Sequence, residues 1–89
     1  MSDQQPPRIE FPCDYPIKIV GDNSEEFTAR VVEVTRRHAP EVTIADVRVR
    51  NSRRGKYASV TITIRATGEP QLKRLHAELK EYPAVRLVL

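Results

Sequence analysis

This 89-residue sequence contains one cysteine, no tryptophan and only three glycines. Since Cys13 is the only cysteine, an internal disulfide is excluded, and a reducing compartment such as the cytoplasm is expected. Hydrophobic runs are also short, because none approaches the roughly 18 apolar residues that a membrane span needs. The N-terminus lacks the basic and then apolar pattern of a secretory signal. These absences favour a small cytoplasmic protein without a membrane span.

Acidic residues are absent from one long segment. Between Val47 and Gly68, 22 residues contain no Asp or Glu. The cations of this segment give it a charge of +6, while the rest of the chain carries −3. They are Arg48, Arg50, Arg53, Arg54, Lys56 and Arg65. The basic excess is therefore local, and it marks this segment as the first place to look for a binding partner.

Two segments show the periodicity of amphipathic helices. The first predicted helix covers about residues 24–38, with Asn23 or Ser24 as its N-cap. Its apolar face is formed by Phe27, Val31, Val34 and His38. The second begins near Pro70, whose missing N–H does no harm in a first turn, and ends before Pro83. Its apolar stripe is formed by Leu72, Leu75, Leu79 and Tyr82.

The first and last predicted strands flank these helices. The first lies within residues 11–20 and is centred on residues 17–20. Pro12 and Pro16 restrict its early part to a sheet edge or an extended lead-in, because proline cannot donate a ladder hydrogen bond. The last covers residues 85–89 and fits two registers. One register turns Val85, Leu87 and Leu89 inward, and the other turns Val88 inward.

Between the helices the sequence predicts a β-hairpin with its loop at residues 51–56. Its second strand, residues 57–66, alternates strictly. One face carries Ala58, Val60, Ile62, Ile64 and Ala66, and the other carries Tyr57, Ser59, Thr61, Thr63 and Arg65. Its first strand, residues 42–50, changes parity near Ala45 and Asp46, which predicts a bulge or a loop there. In that strand Val47 and Val49 should face inward, and Arg48 and Arg50 outward.

The order of elements is β-α-β-β-α-β. Two βαβ-like halves with right-handed crossovers predict an α+β, ferredoxin-like fold. Its antiparallel sheet has four strands in the order 4-1-3-2, with both helices on one face. We expect a single domain over residues 11–89, preceded by a flexible tail, residues 1–10, that has little to bury. The other sheet face is open, and it carries the outward side chains of the hairpin.

Several sequence blocks resemble the YbeD-like family of small bacterial proteins of unknown function. The blocks are EFP (10–12), VVEV (31–34), RHAP (37–40), GKYASVTITI (55–64) and VRLVL (85–89). The resemblance covers about residues 10–89 and implies a ferredoxin-like fold similar to the ACT regulatory domain. ACT domains bind small molecules such as amino acids, usually across a dimer interface. The resemblance also implies an association, through gene neighbourhood, with lipoate metabolism.

Gly21 occupies the position at which ACT domains bind ligands, the turn after the first strand. A residue without a Cβ suits close approach of a ligand there. The alternative is that Gly21 only ends a strand before a helix. The hairpin loop also suggests an anion site, but it lacks the glycine spacing of a P-loop and leads into a strand.

Catalytic chemistry has few candidates in this sequence. Cys13, His38 and His76 are the only groups suited to nucleophilic or general-base roles near neutral pH. No base adjoins Cys13, and both histidines fit structural positions on the predicted helices. One cysteine and two histidines without zinc-ligand spacing do not make a metal site. We therefore expect no enzyme, no cofactor and no metal.

The sequence thus predicts a non-catalytic regulatory domain, monomeric or homodimeric, that binds a protein partner or a small metabolite. The predicted contact residues are Gly21, Arg48, Arg50, Arg53, Arg54, Lys56, Tyr57 and Arg65. The alternative is weak RNA binding, because RNA-recognition motifs share the ferredoxin-like fold and residues 54–62 loosely follow their basic and aromatic pattern. Ser59 and Ile62 stand where stacking aromatics belong, so such binding would depend on phosphate contacts and on salt.

Overall fold

A computed structural model describes residues 10–89, so the predicted tail lies almost entirely outside the described residues. The elements in chain order are β1 (Cys13–Asp22), α1 (Glu25–His38), a 3-10 turn (Ile44–Asp46), β2 (Val47–Asn51), β3 (Tyr57–Ala66), α2 (Glu69–Glu81) and β4 (Val85–Val88). Within these residues, neither helix is long and apolar enough to cross a membrane.

The four strands form one antiparallel sheet in the order β2-β3-β1-β4. The same order counted from the opposite edge is 4-1-3-2, which confirms the predicted fold. The central strands β1 and β3 pair over ten positions, from Cys13 opposite Ala66 to Asp22 opposite Tyr57. Strands β2 and β4 are the two edges. The sheet face that packs against the helices carries the core, and the other face is open.

Strand β1 extends further toward the N-terminus than the predicted centre at residues 17–20, and it includes Pro16. The N–H groups of Lys18 and Asp22 donate toward the β4 side, to the carbonyls of Leu89 and Ala84. By strand parity Pro16 faces the same side, and the described pairing with the β4 side begins only at Lys18. Its missing N–H therefore removes no ladder hydrogen bond, and the proline is tolerated in a central strand.

Helix α1 packs with the predicted face inward. Ser24 is its N-cap, since the Ser24 hydroxyl accepts a hydrogen bond from the Phe27 N–H at 3.0 Å. Phe27, Val31 and Val34 are buried, as predicted. His38 is only partly buried, at the end of the helix.

The first strand of the hairpin departs from the prediction in two ways. Strand β2 begins only at Val47, since residues 44–46 form the 3-10 turn that the change of parity indicated. Val49 faces inward, as predicted, but it is not buried. Its backbone pairs with Val60 and its side chain points to the helix side, yet 51% of Val49 is exposed. The helices do not extend far enough to cover the edge strand.

Strand β4 follows neither predicted register alone. Its pairing with β1 is irregular between Val20 and Gly21, where one residue of β4 is extra. As a result Val85 and Val88 both pack against the core, although they are three positions apart. Leu87 turns to the open face and is 48% exposed.

Candidate binding surface

The loop between β2 and β3 is a tight turn with two arginines at its tip. The Gly55 N–H donates to the Ser52 carbonyl at 2.9 Å, so Arg53 and Arg54 occupy the central turn positions. Gly55 has a φ of +70°, a conformation that glycine adopts without steric cost. The Ser52 N–H donates to the Tyr57 carbonyl at 2.8 Å, and the Tyr57 N–H donates to the Ser52 hydroxyl at 3.0 Å. These bonds close the hairpin.

Asn23, in the connection between β1 and α1, holds this loop against the sheet. Its side-chain amide donates to the Gly55 carbonyl at 2.7 Å, and its backbone N–H donates to the Lys56 carbonyl at 3.1 Å. The sequence suggested Asn23 only as a candidate helix cap. Its contacts lie more than thirty residues away in the chain, so no local pattern could have revealed them.

Five cations surround this loop, and all are exposed. We call them, together with Tyr57, the basic hairpin cluster: Arg48, Arg50, Arg53, Arg54, Lys56 and Tyr57. Within residues 10–89, none of the five cations forms an ion pair with a carboxylate. The Lys56 ammonium lies 5.5 Å from the centroid of the Tyr57 ring. The cluster therefore presents uncompensated positive charge on a turn with defined geometry.

The acidic residue beside the cluster is already engaged. Asp22 lies opposite Tyr57 in the sheet, and its carboxylate accepts two bonds from the Arg86 guanidinium, at 3.2 and 3.3 Å. The contact with Asp22 raises the pKa of Arg86 above its ordinary value. Because the Asp22 carboxylate is paired with Arg86, it does not neutralise the cations of the cluster.

Arg65 lies away from the cluster, at the far end of β3. It is eight residues from Tyr57, about 27 Å along an extended strand, and four residues from Thr61, the position opposite Arg48. Its guanidinium donates to Asp14 at 3.3 Å, and its backbone N–H donates to the Glu41 carboxylate at 3.0 Å. The structure therefore separates Arg65 from the other predicted contact residues and gives it acidic neighbours.

Gly21 lies within β1, where it pairs with Ala58, and not in the turn after the first strand as predicted. It faces the helix side of the sheet and is buried. A Cβ at this position would overlap the Phe27 ring and the carbonyl of Ala84. Close packing alone accounts for glycine here. A ligand role for Gly21 stays a prediction, and the close packing of Phe27 and Ala84 against Gly21 does not support it.

The open face of the sheet has a basic half and an apolar half. On the β2 side, Arg48 lies opposite Thr61 and Arg50 opposite Ser59. On the β4 side the neighbours are Val20, Leu87 and Leu89, the last of which is 58% exposed. Lys18 lies between the two halves on β1. Apart from Tyr57 at the end of β3, the described strand positions of this face offer no centrally placed aromatic on which a base could stack.

The three candidate catalytic residues lie on different elements. Cys13 starts β1, is partly buried and packs against the core. His38 Nε2 lies 2.7 Å from a carboxylate oxygen of Glu78 on α2. His76 is on α2, and its buried Nε2 has no hydrogen-bond partner among the described residues; burial, with a contribution from Lys80, lowers its pKa. In this part of the chain, no three His, Cys, Asp or Glu side chains converge on a point where a metal could bind.

The Glu78 carboxylate joins the two helices. Besides His38, it contacts the Arg37 guanidinium, which also donates to Glu33 at 3.2 Å. The hydrogen bond with His38, followed by that with Arg37, lowers the pKa of Glu78. This network is accounted for by helix packing.

A groove of about 1050 Å³ runs along the outer side of α1 next to β2. Its apolar lining includes Ala29, Val32, Pro40, Ile44, Val47 and Val49. Ile44, in the 3-10 turn, is 90% exposed. The sequence did not reveal the groove, because the inward direction predicted for Val49 does not tell whether a helix covers that edge strand. The change in alternation near Ala45 and Asp46 was a usable signal, because it takes the apolar residue Ile44 out of the strand and into an exposed turn.

Comparison with known proteins places these features in a family. The model of the family described as "Protein of unknown function (DUF493)" matches residues 6–89. A UPF0250 protein of Azotobacter vinelandii is 47% identical over 89 residues, covering 99% of this chain and 97% of that protein. A UPF0250 protein of Chromobacterium violaceum is 39% identical over the whole of both chains. The predicted membership of a bacterial family of unknown function is confirmed.

Two solved structures share the fold. Protein HP0495 from H. pylori aligns with a TM-score of 0.78 at 16% identity, over 100% of this chain and 93% of its own. The ACT domain from GTP pyrophosphokinase of Chlorobium tepidum aligns with a TM-score of 0.66 at 18% identity, over 86% of this chain and 97% of its own. At these identities the likeness shows the fold alone, and it confirms the predicted ACT-like architecture.

Proposed function

The chain belongs to the DUF493 family of proteins of unknown function, and from this premise we propose that it is a non-catalytic regulatory domain. In this proposal the basic hairpin cluster binds an acidic surface of a protein partner. The observation that carries it is the absence, within residues 10–89, of any carboxylate paired with the five cations.

The geometry of the loop supports recognition as well as solubility. Asn23 and the turn at Gly55 fix the backbone of the loop, so a partner need not order it on binding. A contact surface that is already ordered loses less conformational entropy in a complex. The exposed guanidinium groups of Arg48 and Arg50 suit carboxylates, which arginine binds through two parallel hydrogen bonds. Concentrated positive charge also speeds encounter with an acidic partner.

The proposal is tested by charge reversal with a matched control. The triple variant Arg48→Glu, Arg50→Glu, Arg54→Glu is compared with Lys73→Glu, Arg74→Glu, Lys80→Glu, which makes the same charge change at exposed positions of α2. Tagged proteins are used to capture partners from extract of the native cells, and each captured protein is quantified. We expect at least about a tenfold loss for the cluster variant and little change for the control. Equal capture by the wild type and the cluster variant would contradict the proposal.

RNA binding is the alternative that the same charges suggest. The open face lacks central aromatics, so we expect at most weak binding that disappears as salt is raised. The measurement is a titration of labelled single-stranded RNA at low and at physiological salt. Tight binding that persists at physiological salt would favour RNA over a protein partner.

A small metabolite is the other ligand class that the ACT-like fold suggests, and the association with lipoate metabolism belongs with it. A ligand that binds only the native state raises the melting temperature. A thermal-shift screen with amino acids, lipoate and octanoate therefore tests this class directly. We expect no stabilisation, because Phe27 fills the space at Gly21. A concentration-dependent rise would favour the metabolite class instead.

A further inference from the structure

Strand β2 is an edge strand that carries an unpaired row of backbone groups. It pairs with β3 on one side, and the sheet ends on the other. The Ser52 N–H donates to Tyr57, so even-numbered residues of β2 direct their N–H and C=O groups to β3. By parity, Val49 and Asn51 direct theirs away from the sheet. An edge of this kind is a template for another strand.

The two sides of this edge differ in chemistry. Arg48 and Arg50 project on the open face of the sheet, without an intrachain ion pair in residues 10–89. Val47 and Val49 project on the other side, into the groove beside α1. There Ile44, at 90% exposure, adds apolar surface. A strand placed along β2 would therefore meet arginines with one set of alternate side chains and an apolar groove with the other.

We propose that β2 accepts an extended segment of a partner protein as a fifth strand, and that this segment alternates apolar and acidic residues. An apolar residue opposite Val49 would enter the groove, and acidic residues on both sides of it would lie opposite Arg48 and Arg50. Backbone hydrogen bonds to Val49 and Asn51 would hold the strand. This inference rests on the proposed function and defines which part of an acidic partner is bound.

Charge complementarity favours such a partner over a second copy of this chain. Two β2 strands that pair antiparallel about Val49 would place Arg48 of one copy opposite Arg50 of the other. A shift by one residue pair in either direction would place two copies of the same arginine opposite each other. Like charges directly across a strand pair are destabilising. The arginines therefore disfavour pairing of β2 with β2 of a second copy, and they favour pairing of β2 with an acidic strand.

The experiment uses a synthetic peptide, Ser-Gly-Val-Glu-Ile-Glu-Val-Gly-Ser, with the full-length chain. The control peptide, Ser-Gly-Glu-Glu-Val-Ile-Val-Gly-Ser, has the same composition without the alternation. Amide hydrogen exchange is measured residue by residue. In the free protein the amides of Arg48 and Arg50 should be protected, and those of Val49 and Asn51 should exchange fast. The first peptide should slow exchange at Val49 and Asn51 by about tenfold or more, and the control should not.

Variants separate edge pairing from other contacts. Val49→Pro removes an N–H that faces solvent, so the hairpin should keep its own hydrogen bonds. Binding of the peptide should be lost, because the peptide needs that N–H. Ile44→Ser changes a side chain that is almost fully exposed, and it should weaken the peptide without unfolding the chain. Arg48→Glu with Arg50→Glu should weaken it about tenfold or more. The matched change Lys73→Glu with Arg74→Glu should not.

Each contrary result has a defined meaning. Absence of peptide binding at millimolar concentration, or binding without slowed exchange at Val49, would overturn edge pairing. Protection of Val49 that rises with protein concentration in the absence of peptide would identify a second copy as the occupant and also overturn it. If partner capture still depends on the arginines in these cases, the proposed function stands and only the added strand falls. If capture is independent of the arginines, both fall.

Discussion

The two ends of strand β3 both carry positive charge, but the surroundings of that charge differ. At one end, Arg65 has Asp14 beside its guanidinium and Glu41 bonded to its backbone. From the middle of β3 to its other end, and in the adjoining loop, the five cations of the basic hairpin cluster have no carboxylate partner within residues 10–89. The sequence shows a single basic segment. The fold divides it into an arginine that is neutralised within the chain and a cluster that is available to a partner.

Other acidic residues show where the remaining pairing is used. Glu33 and Glu78 engage Arg37 along the helices, and Asp22 engages Arg86 next to the cluster. These carboxylates pair with cations on the helices and at the ends of the sheet. The positive charge of the hairpin loop therefore has no carboxylate partner within residues 10–89. Changes at paired sites should therefore alter the stability of the chain, whereas changes in the cluster should alter binding.

The largest expected effect comes from the packing that supports the cluster end of the sheet. In Gly21→Ala the new methyl group would overlap the Phe27 ring and the Ala84 carbonyl. Overpacking of this kind should lower the free energy of unfolding by about 1–3 kcal/mol. The matched control is Gly68→Ala, where the Cβ would meet only the Pro70 side chain at 3.5 Å. Urea unfolding measures both, and equal stability of the two variants would show that Gly21 is not required for packing.

The next effect concerns the anchor of the loop. Asn23→Ala removes the hydrogen bond from the side-chain amide to the Gly55 carbonyl, which should cost about 1 kcal/mol. The loop amides should exchange faster, and partner capture should fall although no charge has changed. Asn51→Ala is the control, since no side-chain hydrogen bond of Asn51 is present in the described chain. Unchanged capture by Asn23→Ala would mean that the cluster binds without a fixed loop.

Much of the fold follows from local patterns in this sequence. The strict alternation of residues 57–66 defines β3 to the residue, and the spacing of Phe27, Val31 and Val34 defines the buried face of α1. These patterns were sufficient because each element buries one face. The order of the strands then follows from the handedness of the crossovers.

The parts that could not be predicted depend on tertiary contacts. Whether Val49 is covered depends on how far α1 extends over an edge strand, and no local pattern encodes that distance. Pro16 is compatible with a central strand only because β4 does not reach it. For the same reason the charges of the hairpin were identified from sequence, whereas their division into paired and unpaired groups required the positions of Asp14, Glu41 and Asp22.

A smaller effect should appear at acid pH, where paired carboxylates lose their charge. The hydrogen bond with His38, followed by that with Arg37, holds the pKa of Glu78 below its ordinary value of 4.5. A carboxyl group with a lowered pKa in the folded state stabilises the fold fully above its unfolded pKa, and this contribution is lost as the pH falls through the folded value. Glu78→Gln should thus be less stable than the wild type at pH 7, and the difference should narrow below pH 4.5. Chemical unfolding across this range is the measurement. The control Glu81→Gln, at an exposed position without an ion pair in residues 10–89, should show no such narrowing.

The smallest expected effect is at Arg65, and it tests directly whether the two ends of β3 differ. Arg65→Gln removes an exposed ion pair with Asp14, which should lower the free energy of unfolding by about 0.2–1 kcal/mol. Arg50→Gln makes the same chemical change without an ion pair to lose, so its stability should be unchanged. A double-mutant cycle with Asp14→Asn isolates the pair energy, and high salt should reduce it. Partner capture should show the reverse order, with Arg50→Gln weakened and Arg65→Gln near the wild type. If both variants lose capture equally, the two ends of β3 form one binding surface, and pairing within the chain does not decide which arginines a partner can use.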